Sequence, residues 1–240
     1  MPIGAVCWIL DPVADTDVEH AMAGSFLGRM SPDLVRALLA NGLRGEYPAG
    51  TTIYPPGSAP RTLLVVEGLL RVYLGSPDGR QVTVRYARGC DVLGIAVLVG
   101  GPADVGVQTL ARSILYRLDA TLLAASARSD GTVAWALAEE LNRRLYENLQ
   151  QTAVNAFGSV RQRVALHLLD LASAQQEPGG RLVARVSQQE LAEAVGSVRE
   201  VVARVLRDLR VTGLVATVPE GVAILDPAGL HDQTWNPLPE

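Results

Sequence analysis

Residues 47–118 alternate short runs of Val, Leu, Thr and Tyr with turn-forming clusters such as Pro55-Pro56-Gly57, Glu67-Gly68, Pro77-Asp78-Gly79, Arg88-Gly89 and Gly100-Gly101-Pro102. Short strands at regular spacing, each bounded by turn residues, predict an all-β barrel or sandwich. Residues 69–74 and 81–86, joined through Asp78-Gly79, read as one hairpin. Ahead of the barrel, residues 1–30 carry only a weak pattern. Ser31-Pro32-Asp33 then opens a short helix whose apolar face is Leu34, Leu38 and Leu39, ending at Asn41-Gly42.

Beyond the barrel the period changes. Ala134, Ala138, Leu141, Leu145, Asn148, Thr152 and Asn155 follow steps of four and three, which predicts one long helix over 132–157 with a coiled-coil seam turning polar toward its end. Polar seam residues cost stability but fix register and partner number. The seam therefore predicts a homodimer interface of Ala138, Leu141, Leu145, Asn148 and Thr152; the competing reading is an amphipathic helix lying on its own barrel. Gly158 breaks this helix and Ser159 caps another running to about residue 174. A turn at Glu177-Pro178-Gly179-Gly180, a short strand over 182–186, two helices and a hairpin over 214–225 complete the chain.

Residues 187–215 hold the most informative pattern. Ser187 with Glu190 three residues later is a capping box. Leu191, Ala192 and Val195 form the inner face of a first helix, and Gly196 suits a tight turn with a positive backbone angle. Ser197 is expected to cap a second helix, with Val198, Val202, Val205, Leu206 and Leu209 inward and Arg199, Glu200, Arg204 and Arg207 outward. A helix-turn-helix places the first turns of its second helix in the major groove, where arginine pairs with guanine and glutamate accepts from cytosine. The hairpin that follows makes it a winged version. Double-stranded DNA is the expected partner.

Composition refines this picture. The 240 residues suffice for two small domains, and 48% hydrophobic content supplies their cores. The net charge is −4, so any nucleic-acid surface must be local. All basic residues are arginine. Cys7 and Cys90 are far apart, which argues against a disulfide framework and fits a cytoplasmic location. The opening MPIGAVCWIL is too short to span a membrane and lacks the basic residues of a signal peptide.

The stretch Q-E-L-A-E-A-V-G-S-V-R-E-V-V-A-R-V-L-R-D-L, together with N-R-R-L, R-V-A-L-H-L-L-D-L-A, G-T-T-I-Y-P-P-G and D-G-R-Q-V-T-V-R-Y, resembles the cyclic-AMP-receptor/FNR (Crp/Fnr) family over about residues 34–226. The resemblance implies an α+β protein: an N-terminal cyclic-nucleotide-binding-like β-barrel (jelly roll) over 1–130, a dimerisation helix over 131–158 and a C-terminal winged helix-turn-helix over 159–240. It implies that Arg199, Glu200 and Arg204 read a half-site related to GTGA, while Arg185, Ser187, Gln188 and Gln189 touch phosphates or flank the site. Val198 and Val201 depart from the family's small hydroxyl residues. A contact with RNA polymerase would fall near residues 175–181.

The family's nucleotide cassette resembles G-E-[LIM]-[AG] followed by R-[ST]-A. Here Leu93-Gly94-Ile95-Ala96 puts isoleucine in place of the glutamate, and Ala103-Asp104-Val105 puts alanine in place of the arginine. Asn148 and Leu149 replace the family's threonine and serine at the base. No arginine occurs between Arg88 and Arg112. A phosphate buried without a cation is costly, on the order of 3–5 kcal/mol for the lost pair. The expectation is no high-affinity cyclic-nucleotide binding and an effector pocket, if one is kept, at Leu93, Gly94, Ile95, Ala96, Ala103, Asp104, Val105 and Asn148. Residues 92–107 are apolar enough either to line a pocket for an apolar ligand or to fill it.

Other chemistries find little support. Two isolated cysteines cannot hold an iron–sulfur cluster. Haem would need Cys7, Cys90 or His20 as axial ligand, and Cys90 is a candidate redox thiol whose plainer role is a small buried hydrophobe. His20, His167 and His231 are dispersed, no nucleotide-binding loop or nucleophile motif occurs, and Glu139-Glu140 reads as a solvated pair. No metal, no cofactor and no enzymatic activity are expected. A protein-interaction module using the helix-turn-helix as scaffold is the remaining rival.

Overall fold

The computed structural model describes residues 8–9, 16–40, 42–58, 61–75, 81–100, 104–174, 176 and 180–234. Cys7, the Asp78-Gly79 turn, Ala103 and most of the turn at 177–180 lie outside the described residues, as does the side chain of Asn155.

In chain order the elements are β1 (Trp8–Ile9), α1 (Thr16–Gly24), a 3-10 turn (Phe26–Arg29), α2 (Pro32–Ala40), β2 (Leu43–Tyr47), β3 (Thr52–Tyr54), β4 (Leu63–Glu67), β5 (Leu69–Gly75), β6 (Gln81–Arg88) and β7 (Val92–Leu93). Then follow α3 (Ile95–Gly100), β8 (Val105–Thr109), β9 (Ser113–Arg117), α4 (Ala120–Ser129), α5 (Gly131–Phe157) and α6 (Val160–Ala174). The chain closes with β10 (Val183–Ala184), α7 (Gln188–Ala194), α8 (Arg199–Val211), β11 (Val215–Val218), β12 (Gly221–Ile224) and α9 (Pro227–Asp232).

Two sheets make the N-terminal unit, in the orders β1-β2-β9-β4-β7 and β3-β8-β5-β6. The expected hairpin is β5–β6, running antiparallel from Leu69↔Arg88 to Gly75↔Gln81 with a bulge after Val72. Alternation along the strands sends Leu70, Val72, Ala87, Val107 and Leu115 inward, where Tyr47, Tyr54, Leu63, Val65 and Leu93 complete a filled interior. The segment before Ser31 is more regular than its pattern suggests: α1 and the 3-10 turn bury Val18, Met22, Phe26 and Leu27 against Leu123, Val133 and Leu137 of α4 and α5. Helix α4, also without a clear signal in the sequence, is capped by Asp119, which accepts from Thr121 and Leu122 N–H at 2.9 and 3.0 Å. Asp130 ends α4 and caps α5 in turn.

Helix α5 ends at Gly158, whose ψ of 155° turns the chain away. A Cβ there would lie 2.5 Å from the Val154 carbonyl oxygen, so the junction takes glycine. Ser159 then opens α6 as expected: its Oγ accepts from Gln162 N–H at 3.3 Å while Gln162 Oε1 accepts from Ser159 N–H at 2.8 Å.

The C-terminal unit packs α6, α7 and α8 on a sheet in the order β10-β12-β11. Its core does not stop at the barrel. Leu69, Tyr86 and Leu110 on the outer face of the second sheet belong to the same buried cluster as Val164, Leu168, Leu206 and Leu230. Polar groups finish this junction. Tyr86 donates to Asp170 Oδ1 at 2.6 Å, and Gln176 Nε2 donates to the Leu110 carbonyl at 3.2 Å. Arg71, fully buried, donates through Nε to Gln108 at 2.8 Å and stacks over Tyr73.

Candidate nucleic-acid interface and sensor region

The capping box forms as its spacing requires: Ser187 Oγ accepts from Glu190 N–H at 3.2 Å, and Glu190 Oε2 accepts from Ser187 N–H at 2.9 Å. The Ser187 donors hold the Glu190 carboxyl below its ordinary value. Leu191, Ala192 and Val195 are buried, and Gly196 adopts φ 64°, a conformation that disfavours any side chain.

The start of α8 differs from expectation. Ser197 does not cap it. The Ser197 N–H donates to the Ala192 carbonyl to close the turn, so the helix begins one residue later and Val198 becomes its N-cap without a side-chain hydrogen bond. Val198 is accordingly 59% exposed rather than inward. The first amides of α8 thus have no side-chain cap, and such amides suit phosphate oxygens. Val202, Leu206 and Leu209 are buried with Val205 against them, which turns Arg199, Glu200, Arg204 and Arg207 outward on the surface. Arg185, Ser187 and Gln189 are exposed beside that face and Gln188 is half-buried. Arg185, Ser187 and Gln188 border a groove of about 470 Å³ that runs to the β11–β12 hairpin, where Arg210 donates to Thr217 Oγ1 at 2.7 Å.

The residues grouped as an effector pocket scatter instead. Leu93 lies in the filled barrel interior with Val105 against it. Gly94, at φ 77°, sits where a Cβ would press to 2.4 Å on the Arg61 carbonyl. Ile95 is fully buried in the cluster made with α1, α4 and α5. Ala96 and Asp104 are exposed, Ala103 lies outside the described residues, and Asn148 is an exposed residue of α5.

A charged group that the sequence reading missed sits nearby. Arg85 pairs across the sheet with inward-facing Val72, and its side chain is only 11% exposed. Among the described residues its terminal nitrogens have no hydrogen-bond partner, although Asp91 lies at 3.3 Å. Arg144 bonds Glu140 at 2.8 Å and the Val92 carbonyl; burial, then Arg85, pushes its pKa down to about 10. Burial works against the Asp91 and Glu140 carboxylates, but the surrounding guanidiniums outweigh it and hold both below their ordinary values. Arg85, Cys90, Asp91, Arg143, Asn148 and His231 border a cleft of about 600 Å³. The only available sequence signal was an arginine in an inward strand position.

One face of α5 packs on the barrel through Val133, Ala136, Leu137 and Glu140. The other leaves Trp135, Leu145, Tyr146, Leu149 and Phe157 between 55% and 83% exposed, with Ala138 and Thr152 also on the surface. Leu141 is half-buried against the barrel-side cluster. No group of three or more His, Cys, Asp or Glu able to hold a metal occurs among the described residues, and none of their helices is long and apolar enough to cross a membrane.

Known proteins match this arrangement. The Crp-like helix-turn-helix domain matches residues 162–233 and the cyclic nucleotide-binding domain residues 44–130. The transcriptional regulator LdrP of Thermus thermophilus is 36% identical over 193 residues, 78% of this chain and 94% of that protein. The CRP-like cAMP-activated global transcriptional regulator of Mycobacterium tuberculosis is 28% identical over 211 residues, 86% of this chain and 94% of that protein. A solved transcriptional regulator assigned to the crp/fnr family from Eubacterium rectale shares the fold, with a TM-score of 0.56 and 23% identity over 86% of this chain and 96% of that one.

Proposed function

The chain belongs to the Crp/Fnr family of transcription regulators with a helix-turn-helix DNA-binding domain, and from that premise we propose that it acts as a homodimer on pseudo-palindromic operators and is not controlled by cyclic AMP. The observation that carries the DNA reading is the outward face of α8. Three buried aliphatic residues hold the helix while Arg199, Glu200 and Arg204 stand free of the core at its first turns. Arg199 and Arg204 suit guanine edges and Glu200 suits cytosine N4. Arg185, Ser187, Gln188 and Gln189 border the same face and would set register through phosphates.

The exposed apolar stripe of α5 supports pairing with a second copy. Two helices joined along Ala138, Leu145 and Thr152, with Leu141 and Asn148 at the margins, would set two recognition helices about 34 Å apart, one turn of DNA. Division of the chain at 130–131 and 158–159 follows from the same plan, with the dimer helix between barrel and reader.

Independence from cyclic AMP rests on the barrel. The position of the family's glutamate is a core isoleucine, and the motif position of its arginine is alanine. A cytoplasmic location, a contact with RNA polymerase near 175–181 and the absence of a resident cofactor complete the reading. Selection of bound fragments from genomic DNA, with and without cyclic AMP, tests it. Enrichment of paired GTGA-like halves regardless of cyclic AMP is expected. Enrichment only with cyclic AMP would overturn the effector reading, and no enrichment in either arm would overturn the operator reading.

A further inference from the structure

Arg163 lies on the first turn of α6, and its guanidinium reaches two carbonyls from different helices. Its Nε donates to the Val195 carbonyl at 2.9 Å and its Nη1 to the Gly158 carbonyl. Both acceptors stand at helix C-termini: Gly158 is the C-cap of α5 and Val195 that of α7. The last carbonyls of a helix lack intrahelical partners and sit at the negative end of its dipole. A planar guanidinium with donors on separate nitrogens satisfies both at once, which a single ammonium does not.

The placement of those carbonyls gives the bridge its consequence. Gly158 is the junction between the long helix and the C-terminal unit. Val195 precedes Gly196, Ser197 and the N-cap of α8, so its peptide belongs to the turn that aims the recognition helix. Rotation about the Ser159 N–Cα bond, on the α6 side of the junction, would swing the Gly158 carbonyl away from the guanidinium. Arg161, two residues earlier on the same helix, points elsewhere: its Nε and Nη2 donate to Gln233 Oε1 at 3.0 and 2.9 Å. Arg161 therefore fastens α6 to the C-terminal end of α9, whereas Arg163 reaches the junction itself.

We propose that Arg163 is a positioning residue for DNA recognition, setting the angle between α5 and α8 and thereby the separation of the two recognition helices. The inference rests on the dimeric operator reading above. It assigns Arg163 no contact with a base, so its loss should alter the accepted spacing between half-sites and leave the half-site sequence unchanged.

Selection from a randomised duplex library measures both quantities at once, with thermal unfolding of each protein alongside. Wild type should enrich paired half-sites at one spacing over spacings one base pair longer or shorter. Arg163→Gln should narrow that preference by roughly tenfold, the scale of losing one or two hydrogen bonds to a charged donor, with the same half-site enriched. Arg161→Gln should keep the wild-type spacing. Arg163→Lys keeps the charge but not the fork and should fall between them; it carries the test if Arg163→Gln does not fold. Unchanged spacing in the folded Arg163 variant, or an equal loss in Arg161→Gln, would overturn the inference alone. A wild-type chain that enriches no paired half-sites would overturn the operator reading and this inference with it.

Discussion

At the scale of single residues, position distinguishes two exposed arginines, of which Arg199 would read sequence and Arg185 would hold register under the proposed function. Arg199 projects from the first turn of α8, whereas Arg185 stands at its flank beside β10. Arg199→Ala should reduce the preference for the best operator over a mismatched one by about 1–3 kcal/mol. Arg185→Ala should weaken binding to all duplexes about equally and lower the salt slope by about one. Titration of binding to matched and mismatched duplexes at several salt concentrations distinguishes the two. His231 offers a different measurement. It is packed edge-on against Tyr86 with ring centroids 4.8 Å apart, and burial, then Arg88, pushes its pKa down to about 4 from the 6.5 of an exposed histidine. Between those values the unfolded chain binds more protons than the folded one. Stability from this site is therefore complete above pH 6.5 and is lost as pH falls toward 4, at up to about 1.4 kcal/mol per unit. His231→Phe keeps a ring against Tyr86 without a titrating group, so urea unfolding across this range should show wild type losing stability faster than the variant. Parallel curves would remove His231 from the acid response.

At the scale of elements, α5 has two unlike faces on one helix. The buried face is held by the barrel, so a change on the outer face should affect association without unfolding the chain. Leu145→Glu is expected to shift the protein toward monomer in light scattering, with far-ultraviolet circular dichroism unchanged, and to cost operator affinity because two half-sites are no longer bound together. A dimer as stable as wild type would place the interface elsewhere. The periodicity alone placed Leu141 and Asn148 centrally in the seam. The packed helix makes Leu141 half-buried on the barrel side and brings Trp135 and Leu149 outward instead. Steps of three and four define a stripe to within about one residue, and only the docking of the helix decides which edge of that stripe remains uncovered.

At the scale of the whole molecule, barrel and DNA-binding unit share a buried junction. Tyr86 is enclosed there, and its hydroxyl donates to an Asp170 carboxyl whose pKa is raised chiefly by burial. Tyr86→Phe keeps the ring but removes the Tyr86 hydroxyl donor from that carboxyl, which should cost about 1–3 kcal/mol. Arg88→Ala breaks an ion pair with Asp232 at the rim, where both side chains are more than half exposed, and should be nearly neutral. Chemical denaturation of the two variants measures the difference; equal effects would mean that the junction contributes little to stability.

Local chemistry in the chain determined the elements whose causes are short-ranged: the capping box at Ser187 and Glu190, the left-handed turn at Gly196, the break at Gly158, the β5–β6 hairpin and the apolar face of α8. Caps, turns and periodic faces depend on residues three or four positions apart, so they are visible before folding. The same logic failed at Ser197, because the turn drew its N–H to Ala192 and moved the helix start by one residue. The family's motif positions could be located by resemblance, yet their fates diverged: Ile95 entered a core, Ala96 and Asp104 stayed at the surface, and Arg85 came inward from another strand. Only the tertiary structure decided those fates, along with the Arg163 bridge and the shared junction at Tyr86. Each depends on groups far apart in the chain, whose burial and hydrogen bonding are set by how the elements pack and by no pattern within any one of them.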